Sequence, residues 1–111
     1  MMKITRRDTE VLNVTFKDSA GIAIDITGQT LFFTVKKNLT DVDDDAIIKK
    51  KVTSHTNPVL GLSQITLTPT DTNVEAREYY YDLQIVDSLG VTVSTPPQTL
   101  EVVQDVTVRV S

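Results

Sequence analysis

The chain has no cysteine and no tryptophan, a single histidine, and only four glycines and four prolines. Without cysteine there are no disulfides, thiolate metal sites or cysteine nucleophiles, so stability has to come from packing. One histidine rules out a histidine pair on zinc and leaves His55, set between Ser54 and Thr56-Asn57-Pro58, as a turn residue. No stretch approaches the ~20 apolar residues that a helical membrane span needs. The N-terminus, Met1-Met2-Lys3-Ile4-Thr5-Arg6-Arg7-Asp8, reaches charge at once instead of entering the apolar core of a secretion signal. The product is therefore expected to be made and kept in a cytoplasm until it assembles. Positive charge is also in short supply. Lys and Arg number 11 against 15 Asp and Glu, a net charge of −4, which gives no basic footprint for nucleic acid.

Catalytic signatures are missing too. The sequence contains no Gly-x-Ser-x-Gly elbow, no phosphate-binding loop and no Gly-x-Gly-x-x-Gly. Carboxylate pairs such as Glu75 with Glu78, or Asp71 with Asp82, occur in any acidic domain. The expectation is a protein that is not an enzyme and needs no cofactor.

What is present is strand patterning. With 40% hydrophobic and 23% charged residues over 111 positions, the chain has the balance and length of one folded domain. Tyr79, Tyr81, Leu83 and Ile85 fall on one face of an extended segment, and Tyr80, Asp82 and Gln84 on the other. The turn signal Asp87-Ser88-Leu89-Gly90 closes it, and Val91 to Thr95 pairs back as a hairpin arm. Leu12, Val14 and Phe16 alternate in the same way, as do Leu31, Phe33 and Val35, then Ile65 and Leu67, then Leu100, Val102, Val106 and Val108. Ile22 to Ile26 reads as a short extended piece, and Asn73 to Glu78 as a link holding one helical turn. Ala46 to Thr53 fits an edge strand, where Lys49-Lys50-Lys51 discourages pairing with another chain. Glycine and proline stand between these runs and never inside one.

The pattern predicts a single all-β domain over residues 1–111, with residues 1–8 as an arm. Its expected architecture is an antiparallel, two-sheet β-sandwich of the immunoglobulin type with roughly seven or eight strands. Tyr79, Tyr81, Leu12, Phe16, Phe33, Ile65 and Leu100 are its expected core.

Candidate site residues are few. Asp41, Asp43 and Asp45 have the first, third and fifth spacing of a Ca²⁺ loop, but Ala46 and Val52 stand where that loop wants Gly and a bidentate Glu. A solvated acidic loop is the better reading. Tyr80, on the outward face, is the tyrosine open to a ligand or partner. Arg6, Arg7 and Asp8 offer a charged corner for docking, and Asp105, out of phase in the last strand, points to solvent or a partner. Asn13-Val14-Thr15 and Asn38-Leu39-Thr40 match the glycosylation acceptor pattern, which without a secretion signal reads as chance.

Several phrases together resemble a family of small phage proteins. They are Thr5-Arg6-Arg7-Asp8-Thr9, the run from Asp25 to Lys36, Leu67-Thr68-Pro69-Thr70-Asp71-Thr72, Tyr79-Tyr80-Tyr81-Asp82-Leu83-Gln84, and Val103-Gln104-Asp105-Val106-Thr107. In order and spacing they look like the N-terminal domain of the phage baseplate upper protein. Arg7 and Glu78 depart from that pattern, standing where it has glycine. The resemblance implies an immunoglobulin-like module of the virion without catalytic residues. Such a module attaches one tail or baseplate component to another and works as a homo-oligomer in the assembled particle. The alternative is an immunoglobulin-like adhesin module that binds carbohydrate or a cell surface through Tyr80 and the acidic loop.

Overall fold

The computed structural model describes residues 2–41, 46–90 and 92–104. The described residues are all-β: β1 (Met2–Thr5), β2 (Glu10–Thr15), β3 (Thr30–Lys36), β4 (Ile48–Val52), β5 (Leu62–Leu67), β6 (Glu78–Val86), β7 (Thr92–Ser94) and β8 (Gln98–Val103). One 3-10 turn, Pro58–Leu60, precedes β5.

Six strands form the larger sheet in the order β1-β8-β6-β3-β4, with β7 beside the second half of β6. The nine-residue β6 is its axis. β6 pairs along one edge with β3 from Tyr80 to Val86, and along the other with β8 from Glu78 to Tyr81. The second sheet is the antiparallel pair β2–β5. Both sheets feed one core. Phe33, Val35, Tyr79, Tyr81, Ile85 and Leu100 come from the larger sheet, Ile65 and Leu67 from β5, and Phe16 from just beyond β2. Alternation along β6 therefore works as the residue pattern predicts: Tyr79 and Ile85 are fully buried and Tyr81 is 9% exposed. Tyr81 tilts against Phe33 with ring centroids 5.7 Å apart, and its hydroxyl donates to Gln98 Oε1 at 3.0 Å. The Tyr79 hydroxyl donates to the Glu75 carbonyl at 2.6 Å, so a buried ring keeps its polar end satisfied.

Four expectations need correction. The larger sheet is mixed, because β1 runs parallel to β8 with Ile4 opposite Val102. Residues 2–5 are consequently a strand and not an arm: Ile4 is only 1% exposed, and an apolar side chain in the core brings its backbone into the ladder. No helical turn occupies Asn73 to Glu78. There the Val74 N–H returns to the Thr72 carbonyl, and Glu78 already opens β6. Ile22 to Ile26 contributes only an isolated bridge, Lys17 to Ala23. The Asp18 carboxylate accepts from the Ala20 and Ile22 N–H groups and so tightens the turn that precedes it.

The returning segment is held close to the β5 entrance. Gly61 has φ +71°, and a Cβ there would lie 2.5 Å from the Phe16 carbonyl oxygen and 2.8 Å from that of Ile24. Glycine is required at that position for both reasons.

Candidate functional site

The same alternation that buries Phe33 and Tyr81 turns their neighbours outward. On the side of the larger sheet away from β2–β5, Phe32 lies between Lys51 and Gln84, Thr34 between Lys49 and Asp82, and Lys36 opposite Tyr80. Two shallow hollows follow. Phe32, Thr34, Lys49, Lys51 and Gln84 surround one. Thr34, Lys36, Leu39, Tyr80, Asp82 and Pro97 surround the other. Phe32 and Tyr80 are half-buried, while Lys49 and Lys51 reach into solvent. Half-buried aromatic rings with lysine, hydroxyl and amide groups around them can bind by stacking, hydrogen bonding and charge. The chemistry they offer is non-covalent.

The charged N-terminal corner is built differently from the surface expected of it. The Arg6 N–H donates to the Val103 carbonyl and its Nε to the Val74 carbonyl, each at 2.9 Å. The Arg7 N–H donates to the Thr72 carbonyl at 3.3 Å, and the Thr72 hydroxyl donates to the Asp8 carbonyl at 2.7 Å. Arg6, half-buried, thus fastens the corner to the turn before β6. Arg7 and Asp8 are exposed, and Arg7 adopts φ +67°, a left-handed backbone that favours glycine.

Of the candidate Ca²⁺ ligands only Asp41 lies among the described residues. Asp41 accepts from the Asn38 N–H at 3.2 Å, Asp43 and Asp45 lie outside those residues, and no group of three or more His, Asp or Glu forms among the rest. Asp105 also lies outside them.

Two constellations were not foreseen. His55 is eight positions from Ser63 and 26 from Gln29, spacings that carry no signal, yet it bonds to both. The Gln29 carbonyl can only accept, so Nε2 carries a proton and donates to it at 2.7 Å, while Nδ1 is hydrogen-bonded to the Ser63 hydroxyl at 2.8 Å. A serine on an oriented imidazole has the outline of a nucleophile–base pair. Ser63, however, is 2% exposed on the core face of β5, which makes the trio a clasp between loop and sheet.

The second constellation is Asp71, whose carboxylate accepts from Lys50 Nζ at 2.7 Å and from the Thr68 N–H and hydroxyl at 2.8 and 3.0 Å. Burial pushes its carboxyl up, but the bonds from Lys50 and Thr68 outweigh this and hold it below the ordinary value of 3.8.

No family model and no curated protein matches the chain.

Proposed function

We propose that the chain is a protein–protein attachment module of a phage tail or baseplate, an immunoglobulin-like β-sandwich that acts in a rotationally symmetric assembly. The observation that carries this reading is the outward face of the larger sheet. Half-buried Phe32 and Tyr80 rimmed by Lys49 and Lys51 form the apolar-centre, charged-rim surface typical of protein docking. The left-handed backbone at Arg7 supports the resemblance behind it, since that position has glycine in the phage family's pattern. The tyrosine hydroxyl that caps the Glu75 carbonyl and the two sheets sharing one core support the sandwich.

The test is capture from a lysate of particle-producing cells, with the bound proteins identified by mass spectrometry and the purified chain sized by light scattering. Retention of virion structural proteins, lost in a folded Tyr80→Ala, Lys49→Glu, Lys51→Glu variant, is the expected result. A strictly monomeric chain that retains no virion protein would overturn the reading. Glycan binding abolished by a chelator would transfer the function to an adhesin.

A further inference from the structure

The outward face of the larger sheet is charged unevenly from corner to corner. Ile4, Tyr79 and Leu100 enter the core, so alternation turns their neighbours Lys3, Glu78 and Glu101 outward, onto the face that carries Phe32, Lys49 and Lys51. Glu78 stands directly opposite Glu101, and Lys3 stands beside Glu101 on β1. Like charges opposite one another weaken a ladder. Lys3 relieves them little, because its Nζ reaches Glu101 only at 3.9 Å and both side chains are well exposed. Two carboxylates to one ammonium leave this corner acidic.

The basic corner lies diagonally across the face. Lys49 is opposite Thr34 and Lys51 opposite Phe32, while Thr34 and Phe32 are opposite Asp82 and Gln84, four and six positions along β6 from Glu78. Strand spacing and rise put the two corners roughly 20 Å apart. Among the described residues no ion pair meets Glu78, Lys49 or Lys51, and all three are exposed. Between the corners Lys36 and Asp82 carry opposite charges, and Tyr80 is half-buried.

A face that is basic at one corner, balanced in the middle and acidic at the other is complementary to itself. A twofold axis lying in the plane of the face, across the line between the corners, sets the basic corner of one copy on the acidic corner of the other, and does so twice. A partner surface of one sign would match one corner and oppose the other. Sheets stacked face to face lie about 10 Å apart, a gap that a lysine and a glutamate side chain span together.

We infer that a second copy of this chain docks on the outward face, with Lys49 and Lys51 of each copy against Glu78 and Glu101 of the other. The inference rests on the reading of this face as a docking surface and names one occupant of it.

The test is the oligomeric state of the purified full chain by sedimentation velocity over a range of concentrations. A dimer is expected, with a dissociation constant at least about tenfold higher in about 0.5 M than in about 0.05 M NaCl. The double variants Lys49→Glu, Lys51→Glu and Glu78→Lys, Glu101→Lys should each be monomeric. An equimolar mixture of the two should dimerise again, because each restores the opposite charge facing the other, and this rescue shows that both are folded. A wild-type chain that stays monomeric, a dimer indifferent to both double substitutions, or a mixture that stays monomeric would overturn the inference. The docking reading fails separately: a monomer that still retains virion proteins sinks the dimer alone, whereas a charge-rescued dimer that retains none upholds the dimer without the phage role.

Discussion

Arg7 is the residue where local cost is most visible. A left-handed backbone costs a non-glycine residue about 1–2 kcal/mol, and Arg7 adopts one. Replacement by glycine removes that strain but loosens the unfolded chain by roughly 0.5–1 kcal/mol, so Arg7→Gly should leave stability within about 1 kcal/mol of wild type or raise it. Arg7→Val, with a branched Cβ in the same conformation, should lose about 1–2 kcal/mol. Urea denaturation of the two variants checks the contrast, and equal midpoints would contradict it.

Tyr81 poses the opposite problem, a ring held by packing. Tyr81→Ala empties the space against Phe33 and should cost about 3–5 kcal/mol. Tyr81→Phe loses only the bond to Gln98 and should cost about 1 kcal/mol. A Tyr81→Ala protein that melted like wild type would remove this tyrosine from the core. Both tyrosines were legible as core residues because period-two alternation assigns faces directly. The His55 clasp was not, since its partners meet only through tertiary folding.

At the scale of the element, β4 carries an unusual inward charge. Ile48 is buried, so alternation points Lys50 the same way, towards the core side of an edge strand. Such a lysine guards the edge against pairing with another chain, provided that its charge is met inside the molecule. Asp71 meets it at 2.7 Å. The edge strand and its lysines were legible in the sequence, whereas the partner carboxylate, 21 positions away across the sheets, was not.

The pair sets a pH dependence. The Asp71 carboxyl is held below its ordinary value of 3.8 in the folded state, so the unfolded chain takes up this proton first as pH falls. The stability that the pair contributes is complete above about pH 4–5 and is lost as pH falls through the lowered folded value. Wild type should therefore exceed Asp71→Asn in stability at pH 7 and lose that advantage near about pH 2. Urea midpoints of both proteins at the two pH values decide it. An advantage that persisted unchanged in acid would assign the difference to packing alone.

For the whole molecule, the larger sheet joins the two ends of the described chain, with β1 beside β8. Strand spans were legible almost throughout, because runs such as Leu31-Phe33-Val35 announce both the element and its buried face. The order of strands was not, because pairing depends on contacts remote in sequence. Nowhere was the gap wider than at residues 2–5, where Lys3, Arg6, Arg7 and Asp8 gave the segment the look of a solvated arm. A single apolar side chain outweighs that appearance. Ile4 sits opposite Val102 and is buried as completely as the central strands, so its core contact anchors β1 and, through it, the corner that leads into β2. Ile4→Ala should cost about 2–5 kcal/mol, a large share of the stability of a domain this size. Lys3→Ala, one residue away and facing solvent with a 3.9 Å ion pair to Glu101, should change stability by no more than about 0.5 kcal/mol. Chemical denaturation of the two single variants separates a structural strand from an arm, because an arm would make both substitutions silent.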